Sequence, residues 1–154
     1  MPLLGREKVT HELKVGIKER VNDNLKGVFL GGLQPVIAAT PADKGIHRNN
    51  WFLTVGSPST SFGRKGSKTA QDSYNSLLKM PAYVLGKKLY FTNNGPGINS
   101  LEYGGFPNPV KKGSYIKKSK SYEKLSTGGW SNQVDPGGWV RKTLILMQNK
   151  IRSL

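Results

Sequence analysis

The chain has 154 residues, of which 36% are apolar and 28 are glycine or proline, a composition that predicts one domain with a modest core and long irregular connections. Its 24 lysine and arginine residues, against nine aspartate and glutamate residues, give a formal charge of +15, which favours acidic protein surfaces or nucleic acid as partners. The absence of cysteine excludes disulfides and thiolate metal sites, and no apolar run approaches the roughly 20 residues that span a membrane.

The N-terminal part of the chain has helical periodicity. Apolar residues recur every three or four positions with charged residues between them, at Val9, Leu13, Ile17, Val21, Leu25 and Val28. This spacing predicts an amphipathic helix with one buried stripe. Glycines at 27, 31 and 32 interrupt the pattern, so residues 33–39 either continue the helix or restart it, with Pro35 suited to the first turn of a restart.

The middle of the chain alternates short elements with turns. Residues 40–45 have the composition of a turn, residues 50–56 that of a strand, and residues 57–68 that of a long, functional or mobile loop. A short helix is predicted over 69–80, where Pro81 ends it, and a half-buried strand over 88–93. The apolar side of that helix is expected to hold Ala70, Tyr74, Leu77 and Leu78.

The C-terminal third combines a basic insertion with a final helix. Residues 101–105 return briefly to order, and residues 106–132 form a Gly/Ser-rich insertion with weak hairpin character. Residues 138–154 predict a helix with Trp139, Val140, Leu144, Met147 and Ile151 on its apolar side. The predicted organisation is therefore a single domain, 1–154, carrying a basic hairpin or arm at 106–132.

The residues that carry chemistry are sparse. The two histidines, His11 and His47, have no second histidine or carboxylate at metal-ligand spacing, so surface roles are expected for both. The basic glycine loop at 63–68 lacks the Gly-Lys-Ser/Thr ending of a phosphate-binding loop. The sequence therefore predicts no catalytic residues, no metal ligands and no cofactor, and indicates a protein that is not an enzyme.

Aromatic residues interleave with the lysines of the insertion. This pattern suits either a nucleic acid surface or an arm that embraces an acidic neighbouring protein, and the absence of a known nucleic-acid motif favours the arm. Trp51 and Trp139 begin regular elements and are expected in the core, whereas Trp130 lies in a Gly-rich segment and suits an interface.

Several separated stretches occur in the order typical of one known family. They are a turn at 40–45, Asn50-Trp51, Val55-Gly56-Ser57-Pro58, Leu89-Tyr90-Phe91-Thr92-Asn93-Asn94, Leu101-Glu102-Tyr103-Gly104 and Pro136-Gly137-Gly138-Trp139-Val140-Arg141. Together the chain resembles the tail-completion or neck family of long-tailed bacteriophages, the lambda Z-like minor tail proteins. It departs from the family pattern at Gly95-Pro96-Gly97, where the family has Leu-Pro-Tyr, and in the length of the basic insertion.

The resemblance implies an α+β subunit in which a small antiparallel sheet packs against long N-terminal and C-terminal helices. It also implies a place in the virion at the head–tail junction, after assembly in the host cytoplasm. The expected partners are copies of the chain itself in a ring, most often a hexamer, and the neighbouring head–tail connector, tail terminator or tail tube proteins. Genomic DNA passing through the lumen is a possible further contact, and no membrane is expected.

The resemblance and the basic insertion together suggest two sets of site residues. Interface candidates are Tyr103, Phe106, Lys111, Lys112, Tyr115, Lys117, Lys118 and Trp130. Glu102 and Arg141, which lie in the two strongest motifs, are expected to form a structural ion pair. The alternative to a neck protein is a basic nucleic-acid-binding protein of ribosomal or chromatin type, which the charge supports.

Overall fold

The computed structural model describes residues 2–42, 44–103, 114–116, 120–123 and 138–154. These residues form α1 (Pro2–Ala39), β1 (Phe52–Val55), α2 (Gln71–Leu77), β2 (Leu89–Thr92), α3 (Ile98–Tyr103), β3 (Ser114–Ile116), β4 (Ser121–Glu123) and α4 (Trp139–Arg152). The predicted α+β class, with helices at both ends and a small antiparallel sheet, is confirmed.

The N-terminal helix is longer and more continuous than the sequence predicted. α1 runs through all its glycines, and Pro35 lies inside it rather than at a restart. A glycine costs a helix only about 1 kcal/mol relative to alanine, which tertiary packing can offset. At Gly32 the glycine serves packing, because a Cβ there would collide with the thioether of Met147 on α4.

Thr40 joins the end of α1 to the first strand. Its hydroxyl donates to the carbonyl oxygen of Val36 over 2.6 Å and accepts from the indole Nε1 of Trp51 over 2.9 Å. The predicted turn follows, with Gly45 at φ 72° and packed against the backbone of Ser67. The close of the helix thus fixes where the strand begins.

β1 and β2 form an antiparallel pair. The register places Phe52 opposite Thr92, Leu53 opposite Phe91 and Val55 opposite Leu89. Trp51, just before β1, stacks on Phe91 with ring centroids 4.7 Å apart. Trp51 and Trp139 are both buried, as predicted, in a core cluster completed by Val36, Ile37, Leu53, Ala70 and Leu77.

The second edge of β1 is covered by α2. The backbone N–H of Trp51 donates to Ser73 Oγ over 2.9 Å, and that of Leu53 donates to Ser76 Oγ over 2.8 Å. Both serines are buried, one helical turn apart. Two hydroxyls therefore occupy the positions that carbonyls of a third strand would take.

The predicted helix over 69–80 was too long, and one member of its apolar side was wrong. α2 begins at Gln71 after Ala70, which has a left-handed conformation, and it ends at Leu77. Leu77 and Ala70 are buried, but Leu78 is 82% exposed. The reason is that the face of α2 turned toward β1 is defined by Ser73, Ser76 and Leu77 rather than by apolar spacing alone.

The described residues after α3 form a hairpin and a helix. β3 and β4 form the predicted short hairpin, with Tyr115 opposite Tyr122. α4 packs against α1 and matches the predicted helix over 138–154. Its predicted apolar side is only partly covered, since Trp139 is buried whereas Leu144 and Ile151 are exposed.

Candidate functional site

The predicted ion pair is present and forms the centre of a junction between α3 and α4. Arg141 Nε lies 3.2 Å from Glu102 Oε1, and the Arg141 guanidinium also donates to the Glu102 carbonyl oxygen over 3.0 Å. Glu102 is buried, an uncommon position for a carboxylate unless it is paired and hydrogen-bonded. The pair thus joins the two motifs that carry the resemblance most strongly.

The carboxylate of Glu102 has a second role that the sequence did not reveal. Its two oxygens accept the backbone N–H groups of Val140 and Arg141 over 3.0 and 2.9 Å. These are unpaired donors of the first turn of α4, and the helix-capping position itself holds Gly138, which has no side chain to offer. Glu102 therefore caps α4 from a different helix.

Gly138 and Trp139 complete this junction. Gly138 has a φ of 79°, and a Cβ at that position would collide with the Glu102 carboxylate. The indole Nε1 of Trp139 donates to the carbonyl oxygen of Val36 on α1 over 3.1 Å. The start of α4 is thus tied to α3 through Glu102 and to α1 through Trp139.

One interface candidate belongs to the α3–α4 junction. Tyr103 is 60% exposed, and the guanidinium carbon of Arg141 lies 4.6 Å from the centroid of its ring, a cation–π distance. Tyr115 is on β3, within the hairpin. The other candidates, Phe106, Lys111, Lys112, Lys117, Lys118 and Trp130, lie outside the described residues.

The loop at 57–68, predicted to be functional or mobile, is held in place by hydrogen bonds with asparagine side chains. Buried Asn50 accepts the backbone N–H groups of Gly63 and Arg64 through its Oδ1 and donates to the Arg64 carbonyl oxygen. Asn49 donates to the Lys65 carbonyl oxygen, and Asn94 to those of Ser59 and Ser61. The recurring Asn-Asn dipeptides at 49–50 and 93–94 were the available signal.

Arg64 fastens the same loop to the sheet. Its guanidinium donates to the carbonyl oxygen of Trp51 over 3.0 Å and lies 3.8 Å from the centroid of the Phe52 ring. Partial burial lowers the pKa of Arg64, and the nearby carboxylate of Asp72 acts in the opposite direction. This arginine stabilises the fold and is not a free basic group of the surface.

The stripe predicted to be buried along α1 is exposed at its N-terminal end, so that prediction was wrong there. Val9 is 55% exposed, Leu13 61%, Ile17 60% and Val21 39%. Helical periodicity identifies a face, but it does not say whether that face meets the same chain. Together these four side chains form an apolar patch of the kind that marks interaction sites on soluble proteins.

The histidines have different surroundings. His11 is exposed, as expected, whereas His47 is half-buried and its Nδ1 has no hydrogen-bond partner. Desolvation lowers the pKa of His47. Within the part of the chain that the structure describes, no three histidine, aspartate or glutamate side chains are grouped to hold a metal ion.

Comparisons with known proteins do not assign the chain to a family. No protein-family model matches the chain, and the searches of curated proteins and of solved structures gave no match. Among the described helices, none combines the length and the apolar character needed to cross a membrane. Any proposal about the function of this chain therefore depends on its residues and their geometry.

Proposed function

We propose that this chain is a virion structural protein of the phage neck, a subunit of a ring that completes the tail and connects it to the head. It acts by binding its neighbours. The hydrogen bonds of its buried polar side chains stabilise the fold of the subunit. In this role it surrounds the path along which the genome leaves the head.

The observation that carries the proposal is the uncovered apolar patch on α1, formed by Val9, Leu13, Ile17 and Val21. Every residue from 5 to 21 is exposed except Gly16, which is half-buried. A long helix that displays aliphatic residues to solvent is typical of a subunit whose surface is completed by assembly.

The α3–α4 junction supports the resemblance to the neck family. The Leu-Glu-Tyr and Trp-Val-Arg segments are distant in sequence, yet they meet through Glu102 and Arg141. The two segments that carry the resemblance therefore form one structural unit in this chain. We expect this unit to fix the relative positions of α3 and α4 in a neck subunit.

The charge of the chain supports its expected partners. A formal charge of +15 suits acidic surfaces of connector, tail terminator or tail tube proteins, and it suits DNA in the lumen of a ring. A ring of identical subunits needs head-to-tail contacts that close on themselves, most often six-fold in the family that the chain resembles.

A nucleic-acid-binding protein is the second candidate, favoured by the same charge. The chain has six arginines, and three of them donate hydrogen bonds to main-chain carbonyls within the fold: Arg48, Arg64 and Arg141. These bonds limit the use of the three guanidinium groups in reading bases. Retention on immobilised DNA as salt increases separates the two candidates. A monomer whose DNA affinity falls steeply with salt would favour this alternative.

Electron cryomicroscopy of purified particles tests the neck proposal directly. We expect ring-shaped density at the head–tail junction into which this chain can be traced, and we expect heads and tails to remain unjoined in particles made without it. The proposal fails if the chain is absent from purified virions, or if particles lacking it still join and infect.

A further inference from the structure

The two long edges of the β1–β2 sheet differ in what covers them. Successive residues of an antiparallel strand direct their main-chain groups alternately toward the partner strand and away from it. The N–H of Gly56 donates to the carbonyl oxygen of Lys88 over 2.9 Å, which continues the register by one hydrogen-bonded pair. The main-chain groups of Tyr90 therefore point toward β1, whereas those of Leu89 and Phe91 point away from it.

The outer edge of β1 is covered, because its two outward N–H groups donate to the serine hydroxyls of α2. The outer edge of β2 is different. Within the part of the chain that the structure describes, no hydrogen bond engages the outward N–H or carbonyl groups of Leu89 and Phe91. These two residues thus present two donors and two acceptors in a row, which is the pattern that pairs with a further strand.

An apolar groove lies beside this edge. It has a volume of about 350 Å³ and opens between α1, the β1–β2 sheet and α4, and Leu89, Phe91 and Leu144 are among its lining residues. Its lining is apolar except for Lys87 and Thr143. Residues opposite each other on adjacent strands have side chains on the same face of a sheet. A strand added to β2 therefore directs every second side chain into this groove.

The charge at the start of β2 narrows the kind of strand that fits. Lys87 borders the groove, and Lys88 is exposed next to it. No acidic side chain is among the residues described as lining the groove. Lysines beside a strand edge oppose pairing with another basic chain, and a second copy of this chain carries a formal charge of +15. An acidic segment meets no such repulsion.

We propose that the outer edge of β2 binds an extended segment of an acidic partner protein, in which every second residue is apolar. The main chain of the segment pairs with Leu89 and Phe91, its apolar side chains enter the groove, and a carboxylate lies near Lys87. Strand addition of this kind is a common way to recognise a peptide, since the main chain supplies affinity and the pockets supply specificity. The inference goes beyond the proposed function, because it rests on the hydrogen bonds of the sheet and not on a place in the virion.

Hydrogen exchange of the full chain, followed by NMR, tests whether the edge is open. In the isolated chain, the amides of Leu89 and Phe91 should exchange at least about tenfold faster than the amide of Tyr90, which is bonded to β1. If all three amides exchange equally slowly, the chain itself covers this edge and the proposal is overturned.

The binding test uses a synthetic peptide of about six residues, in which valine and threonine alternate between a glutamate at each end. Adding the peptide should slow exchange at Leu89 and Phe91 by at least about fivefold. The matched control peptide has lysine in place of glutamate and should bind at least about threefold more weakly. Unchanged exchange with the glutamate peptide overturns the site, and equal binding of the two peptides overturns the preference for an acidic partner.

A pair of substitutions at one position isolates the main-chain contact. Leu89→Pro removes an outward N–H that β1 does not use, whereas Leu89→Ala shortens the side chain and keeps the N–H. Leu89→Pro should bind the glutamate peptide more than about fivefold more weakly than Leu89→Ala. Equal affinities would contradict strand pairing. Circular dichroism checks folding, and if Leu89→Pro misfolds, the exchange measurements decide.

Sedimentation velocity distinguishes a partner protein from a second copy. If the original chain self-associates and its own association protects the amides of Leu89 and Phe91, the occupant is another copy and the proposal is overturned. The neck assignment is tested separately. A chain absent from virions would overturn that function and leave measured peptide binding standing, whereas failure of the peptide to bind would leave the neck assignment untouched.

Discussion

The carboxylate of Glu102 accepts the backbone N–H of Arg141 as well as its side chain, so one residue both caps α4 and pairs with its first basic residue. The cap and the ion pair differ in exposure. Glu102 is buried, whereas the Arg141 side chain is 45% exposed and its ion pair is screened by solvent. The cap should therefore contribute more to stability than the pair.

This relationship predicts unequal effects of two substitutions. Glu102→Ala should lower the free energy of unfolding by about 2 kcal/mol, because two helix N–H groups lose a charged acceptor. Arg141→Ala should lower it by less than about 1 kcal/mol. Urea unfolding measures both, and an equal or larger loss for Arg141→Ala would show that the cap is not the main contribution.

Gly138 is required by the same junction. Gly138→Ala should destabilise the fold by about 1–3 kcal/mol, since alanine at φ 79° is strained and its Cβ meets the Glu102 carboxylate. Gly27→Ala serves as the control, because that glycine lies within α1 with open space around it and should gain up to about 1 kcal/mol. Thermal unfolding of the two variants should therefore move in opposite directions.

Ser73 and Ser76 are expected to stabilise the fold through the hydrogen bonds that they accept from the edge of β1. Ser73→Ala or Ser76→Ala leaves a buried N–H of β1 or of Trp51 without an acceptor, at a cost of about 1–3 kcal/mol each. Hydrogen exchange should accelerate at the amides of Trp51 and Leu53. Asn75→Ala, on the exposed face of the same helix, should change stability by less than about 0.5 kcal/mol; if it matched the serine variants, helix content rather than edge pairing would be the cause.

His47 predicts a dependence of stability on pH. Burial lowers its pKa below the ordinary value of 6.5, so the unfolded chain binds the proton more readily than the folded one. Its neutral form is fully compatible with the fold above pH 6.5, and stability should fall as the pH drops from there through the lowered pKa. His47→Gln should reduce this fall when unfolding is measured between pH 7.5 and about 5.5.

The original chain provides the reference for that measurement. Identical profiles for the original chain and His47→Gln would mean that other groups govern the dependence.

The sequence predicted the class of fold and the pairing of Glu102 with Arg141, and the reasons for its failures are physical. The spacing of Val9, Leu13 and Ile17 identified a helix face correctly, but periodicity cannot tell whether that face is covered by the same chain. Cap, loop and edge contacts were missed because they join residues remote in sequence through side chains of ordinary composition. Ser73 and Ser76 are examples: nothing in their local sequence shows which main-chain groups they will meet.

The serines of α2 also limit how this subunit can be extended. An uncovered strand edge invites a strand from another molecule, which is a route both to specific assembly and to aggregation. Because Ser73 and Ser76 already accept hydrogen bonds on the outer side of β1, an incoming strand finds those donors engaged. Strand addition through the β1 edge of the sheet is therefore closed, and a neighbour that meets the molecule on this side must pack against the side chains of α2 instead.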